Sequence, residues 1–164
     1  MMSSERDGRL LKVAGLDAYY GRAQVLFGVS IEVSRGEVVA LMGRNGAGKS
    51  TTFKAVMGHL ENTQGKIEFR GRDIGRLATY KIARLGLGYV PEDRRIFTEL
   101  SVLENFEVGR QLPRSDAPLW TPSKLFKVFT NLETMPDRLG GRMSGGEQQM
   151  LTVARTLMGN PYLV

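Results

Sequence analysis

The chain has 164 residues, 41% of them hydrophobic and 24% charged, with a net charge of +6 and an isoelectric point near 9.8. Such a length suits one domain, or one domain with an insertion, and no apolar run approaches the roughly 20 residues that cross a bilayer. The absence of cysteine excludes disulfides, thiolate chemistry and cysteine metal sites.

The polar start, Met1–Asp7, contains no apolar segment of signal-peptide type, so a cytoplasmic location is expected. Basic residues are scattered through the chain rather than massed in a block. A solvated basic surface accounts for them better than a nucleic-acid site, and phosphate ligands or a nearby membrane would add to the bias.

In chain order, Leu10–Val13 reads as a strand, and Val29, Ile31 and Val33 alternate as in a half-buried ribbon. Gly36-Glu37 makes a turn into a fully apolar strand, Val38–Met42, and a helix is predicted from about Lys49 to Met57, stopping at Gly58. Gly65–Ile74 reads as a short strand with a glycine turn. Ala78–Leu85 reads as a helix ended by Gly86, and Leu87–Val90 as a strand stopped by Pro91. Ser101 and Glu104 form a capping box for a helix to about Val108, and a loop rich in Pro, Ser and Asp spans Leu112–Leu119. Thr121-Pro122 then opens a second helix with Leu125, Phe126, Phe129 and Leu132 on its core face. The expected organisation is a nucleotide-binding α/β core over 1–91, a mostly helical insertion over 92–142, and a closing helix and strand over 143–164.

Between the apolar strand and the first helix lies Gly43-Arg44-Asn45-Gly46-Ala47-Gly48-Lys49-Ser50. Strand, glycine loop and helix together are the setting of a phosphate-binding loop, whereas a chance glycine-rich turn needs neither flank. The glycines let successive amides curl inward onto anionic oxygens. Lys49 can reach the outer phosphates, the Ser50 hydroxyl can ligate Mg²⁺, and the helix start, continuing through Thr51, adds partial positive charge.

A second motif, Met143-Ser144-Gly145-Gly146-Glu147-Gln148-Gln149, precedes an amphipathic run to Met158. A capping box explains Ser144 and Glu147 completely. It does not explain Gly145 and Gly146, each costing up to about 1 kcal/mol in a helix interior. Two glycines at a helix head let an anion approach bare amides.

A phosphate loop followed, about 95 residues on, by Ser-Gly-Gly-Glu-Gln-Gln resembles the ATP-binding subunits of ABC transporters. The resemblance covers nearly the whole chain. It implies a P-loop NTPase core with an antiparallel β portion and a helical subdomain. It also implies ATP and Mg²⁺ as cofactors, and a dimer in which Ser144, Gly145 and Gly146 act in trans on a γ-phosphate. Gly43, Asn45, Gly46, Ala47, Gly48, Lys49, Ser50 and Thr51 would hold the phosphates. Tyr20 matches the aromatic that stacks on adenine, a sheet tyrosine with a wet hydroxyl being the other reading.

Tyr89–Phe97 sits where that family has its Gln loop, but Glu92 stands in the Gln position. A carboxylate can still ligate Mg²⁺ directly or through water, so Ser50 and Glu92 are the implied metal residues. This variant, like the Met before Ser144, looks like the branch serving branched-chain amino-acid uptake. Arg94 and Arg95 read as solvated surface more readily than as functional groups. His59 does not match the family's switch histidine.

The implied partners are a second ATP-binding subunit, integral membrane permease subunits and, indirectly, a periplasmic substrate-binding protein, at the inner face of the cell membrane; nucleic acid is not expected. The family's Walker B aspartate, catalytic glutamate and switch histidine find no counterpart. The reading is therefore a chain truncated within that strand, marginally stable and hydrolysing little ATP. The alternatives are a non-catalytic nucleotide-binding fragment, a urea or amide importer ATPase, and an ABC-type ATPase acting on nucleic acid.

Overall fold

A computed structural model describes residues 8–164; the polar start Met1–Asp7 lies outside the described residues. The chain divides after Leu85 into two compact units, each with its own buried residues.

The first unit is built on a long hairpin. Strand β1 (Arg9–Tyr20) turns at Gly21-Arg22 into β2 (Ala23–Ser34), and β3 (Asn62–Phe69) and β4 (Arg72–Asp73) complete an antiparallel sheet of order β2-β1-β3-β4. Both hairpin strands outrun the lengths predicted from hydrophobic alternation. The pairing is interrupted by register shifts, and Gly15 and Gly28 sit at positive φ (58° and 60°). Bulges break a strict period of two, which hides a long strand from a pattern search. The Asp17 carboxylate stitches one irregularity, accepting from the Gly28 amide at 2.7 Å and from Gln24 Nε2 at 3.0 Å. Leu11, Val13, Leu16, Ala18, Leu26, Ile67 and Phe69 point into the core.

Gly65 is the tightest point of this sheet. Its φ is +102°, and a Cβ there would run into the Gly15 carbonyl and lie 2.9 Å from the Ala14 oxygen. Both obstacles are backbone, so neither can rotate away. Gly65→Ala is expected to cost about 2–3 kcal/mol. Urea unfolding followed by the β-sheet circular dichroism signal checks this, and an unchanged midpoint contradicts it.

Helix α1 (Lys49–Val56) and helix α2 (Thr79–Arg84) complete the unit. The segment Val38–Met42, expected as a buried strand, is not one. Among the described residues it has no ladder partner, and Val38 is 95% and Met42 88% exposed. A strand exists only as a member of a hydrogen-bonded pair, so an apolar run without a neighbour stays irregular.

The second unit is mostly helical. Helices α3 (Val102–Gly109), α4 (Pro122–Val128), α5 (Thr130–Glu133) and α6 (Gly145–Leu157) enclose a core of Val102, Phe106, Leu125, Leu132, Leu151, Ala154 and Met158. Both predicted capping boxes form, Ser101 with Glu104 on α3 and Ser144 with Glu147 on α6. Thr121 caps α4, with Pro122 in its first turn. The helix predicted through Leu132 breaks at Phe129 (φ −115°, ψ 70°), yet Leu125 and Leu132 stay fully buried on either side. Leu87–Val90, expected as a strand, contributes a single parallel bridge between Leu87 and Leu163.

Two polar side chains tie loops into this unit. Asn105, fully buried on α3, accepts from the Phe97 amide and donates to the carbonyls of Phe97, Leu100 and Ser101, at 2.9 to 3.1 Å. Asn160, buried at φ +50°, accepts from the Trp120 amide at 2.7 Å and donates to the Gln111 carbonyl. Arg114 adds bonds to the carbonyls of Gly159 and Asn160, fastening the loop before α4 to the C-terminal end of α6. A cation at that end also complements the helix dipole.

Candidate functional site

The phosphate-loop candidate lies wholly in the first unit. Gly46 and Gly48 take φ of +84° and +88°, where a side chain is disfavoured, and Gly48 caps α1 from the left-handed region. A Cβ on Gly48 would meet Leu26 Cδ2 at 2.7 Å and the Val25 oxygen at 3.4 Å. Glycine therefore lets the loop seat directly on β2. The Ala47 amide closes a turn on the Arg44 carbonyl at 3.1 Å, and Lys49 Nζ donates to the carbonyls of Gly43 (2.8 Å) and Arg44 (2.9 Å). The lysine thus spans the loop from its own helix, its ammonium at the mouth of the curl.

Helix α1 starts with no side-chain cap, in contrast to α3, α4 and α6. First-turn amides have no acceptor inside their own helix. A loop of exposed glycines leading into that uncapped turn, with a lysine across it, fits a polyanion. Ser50 and Thr51 stand half-buried in the same turn.

Tyr20 ends β1 opposite Ala23, while Leu26, against which Gly48 rests, pairs with Ala18. The aromatic therefore stands roughly 10 Å along β2 from the loop's seat. It is 49% exposed.

Glu92 and Ser144–Gly146 belong to the second unit. The Ser144 amide donates to Glu147 at 2.6 Å, and this bond, with the Ser144 hydroxyl and more distant Arg138, holds the Glu147 carboxyl below its ordinary range. Gly146 faces open space where a Cβ would project. Gly145 is covered differently: a Cβ there would approach the Arg94 guanidinium at 3.2 to 3.4 Å. Arg94 and Arg95 are both exposed, as expected of solvated residues, and Arg95 pairs with Asp93 at 2.7 Å.

No group of three or more His, Cys, Asp or Glu capable of holding a metal occurs among the described residues. Mg²⁺ does not need one, because it keeps several waters and binds through one or two protein oxygens plus phosphates. The Ser50 hydroxyl, half-buried in the first turn of α1, is an oxygen of that kind. No helix among the described residues is long and apolar enough to cross a membrane.

A model of the family described as ABC transporter matches residues 26–164. The chain belongs to the ABC transporter family. The high-affinity branched-chain amino acid transport ATP-binding protein BraG of Pseudomonas aeruginosa is 38% identical over 155 residues, covering 94% of this chain and 66% of BraG. The lipopolysaccharide export system ATP-binding protein LptB of Haemophilus influenzae is 35% identical over 157 residues, covering 94% and 65%. An ATP-binding cassette of an ABC transporter, solved in its ADP conformation, superposes with a TM-score of 0.71 at 29% identity, covering 93% of this chain and 66% of that one. The chain thus spans just under two thirds of the length of these relatives. The fold expectation, a P-loop NTPase α/β core with an antiparallel portion and a helical part, agrees with these cassettes.

Sequence reasoning missed three polar side chains of α6. Thr152 Oγ1 donates to the Arg94 carbonyl at 3.0 Å, Arg155 Nη2 reaches the same oxygen at 3.5 Å, and Thr156 Oγ1 reaches the Tyr89 carbonyl at 3.4 Å. Their signal was present as polar residues at i, i+3 and i+4, one stripe of a helix whose neighbouring stripe is apolar.

Proposed function

We propose that this chain is the nucleotide-binding part of an ABC importer's ATP-binding subunit, serving branched-chain amino acids and coupling ATP binding and hydrolysis to transport. The observation that carries the reading is the uncapped, glycine-led start of α1 with Lys49 drawn across its mouth. Gly43, Asn45, Gly46, Ala47, Gly48, Lys49, Ser50 and Thr51 cradle the phosphates, Tyr20 stacks on adenine, and Ser50 and Glu92 supply oxygens to Mg²⁺. Ser144, Gly145 and Gly146 close over the γ-phosphate of a second subunit. In sequence the helical segment 92–142 lies between these two motifs, and it shares one hydrophobic core with α6 of the closing segment 143–164. The partners are that second subunit, membrane permease subunits and, through them, a periplasmic binding protein. The subunit sits at the inner membrane face. Similarity to BraG and the Pro91-Glu92-Asp93-Arg94 variant support the substrate class.

MgATP is expected to drive self-association, measured by sedimentation, and Gly146→Asp is expected to abolish it while leaving monomer nucleotide affinity intact. A wild-type chain that stays monomeric at saturating MgATP overturns the dimeric reading. A second substrate reading, lipopolysaccharide export, is supported by the LptB likeness. Co-purification of the chain with the permease subunits of a leucine importer selects the first reading; co-purification with those of a lipopolysaccharide exporter selects the second.

A further inference from the structure

The segment Pro91–Phe97 is held in an unusual way. Arg94 and Arg95 both occupy the left-handed region, at φ +62° and +49°, without being glycine or asparagine. Residues with a Cβ resist that conformation, and two in succession persist only where surroundings impose them. One end of the segment is fixed: Phe97 is bonded through both its amide and its carbonyl to buried Asn105. Within the segment, the Arg95 amide closes on the Asp93 carbonyl at 2.7 Å, and its side chain pairs with Asp93. The Arg94 amide closes a turn on the Pro91 carbonyl at 3.2 Å, and its carbonyl is held by α6.

Thr152 is fully buried, and its single hydroxyl proton faces two acceptors, the Gln148 carbonyl at 2.8 Å and the Arg94 carbonyl at 3.0 Å. The first is the ordinary back-bond of a helical threonine to the residue four before it. Should the loop withdraw, the proton keeps that partner and no buried donor is orphaned. Asn105 has only part of such a fallback: its Nδ2 also bonds the Ser101 carbonyl four residues back, but its Oδ1 accepts from the Phe97 amide, and withdrawal of the loop leaves that buried oxygen without the bond. The two anchors therefore differ in kind, a fixed strut at Phe97 and a contact at Arg94 that can open without penalty to its donor. While it is closed, the Arg94 guanidinium lies against Gly145 at the head of the same helix.

We propose that Thr152 is a positioning residue whose hydroxyl reversibly latches the Arg94 carbonyl, holding the strained Glu92–Arg95 loop against the glycine-headed helix so that the two site elements move together. This rests on the roles given above to Glu92 and to Ser144–Gly146. Arg155 reinforces the latch at the same oxygen, and Thr156 extends it to the Tyr89 carbonyl.

The test is hydrogen–deuterium exchange on the full chain, with MgATP-driven association measured in parallel. Thr152→Val keeps the shape and removes the proton; Thr152→Ser keeps the proton. In Thr152→Val, amides of residues 92–97 are expected to exchange several-fold faster while residues 147–157 keep wild-type protection, and MgATP-driven association weakens. Thr152→Ser restores both. Thr152→Ala gives a second hydroxyl-free variant, with helical circular dichroism confirming its fold. Unchanged exchange over 92–97 in the hydroxyl-free variants overturns the latch, as does a failure of Thr152→Ser to restore it. A wild-type chain that does not associate with MgATP strikes the reading of the site instead, and leaves the exchange comparison to judge the latch.

Discussion

Replacing Lys49 by alanine is expected to weaken MgATP binding about 30- to 100-fold, the loss of one to two charge-assisted hydrogen bonds from a phosphate site. Two of the three ammonium protons are committed to the Gly43 and Arg44 carbonyls, which hold the group over the loop. The third can meet a phosphate oxygen, and a small pivot offers the others. Alanine removes the positive charge and also the tie that closes the loop, so the glycine amides lose their convergence. The effect belongs to binding and not to folding, because the side chain is half-exposed and stands outside the hydrophobic core. Titration with a fluorescent ATP analogue, beside a thermal melt of the same samples, measures both. Equal affinities for wild type and variant, with both folded, would falsify the phosphate-loop assignment.

Asn105→Ala is expected to destabilise the second unit by roughly 3–4 kcal/mol, through unsatisfied buried groups together with a cavity. The carboxamide accepts from one amide and shares its two N–H protons among three carbonyls, in a place with no measurable solvent access. Removing it orphans the Phe97 amide beneath a loop that cannot refold locally, since Leu100 also accepts from Gly140 and Phe97 also accepts from Leu100. Asn105→Asp keeps the acceptor but loses both donors, and should fall between wild type and alanine only at acid pH, where the buried carboxyl is neutral. Urea unfolding followed at 222 nm checks the magnitude. A loss under about 1 kcal/mol would mean that water replaces the side chain without penalty.

These two residues mark the boundary of what the amino-acid order made readable. The phosphate loop, the Ser144–Gly146 head and the capping boxes were legible because each encodes its conformation within a few consecutive residues. Leu125 and Leu132 were legible from helical spacing alone, even though the helix breaks between them. Asn105, Thr152 and Asn160 were not: Thr152 and Asn160 bond to carbonyls or amides far away in the chain, Asn105 ties back the irregular loop just before its own helix, and a lone polar residue carries no mark of either kind of partner. Val38–Met42 failed for a related reason. Its composition states a preference for extended backbone, but a ladder needs a neighbour that composition does not name.

The contact between Asn160 and Trp120 has a practical consequence. Trp120 is the only tryptophan in the chain, and it lies partly buried against the helical core, its amide pinned to Asn160. Its indole emission therefore reports on one half of the molecule. Excited at the red edge of its absorption, where Tyr19, Tyr20 and Tyr80 of the sheet-bearing half do not respond, this chromophore can watch its own half loosen or tighten with no label attached.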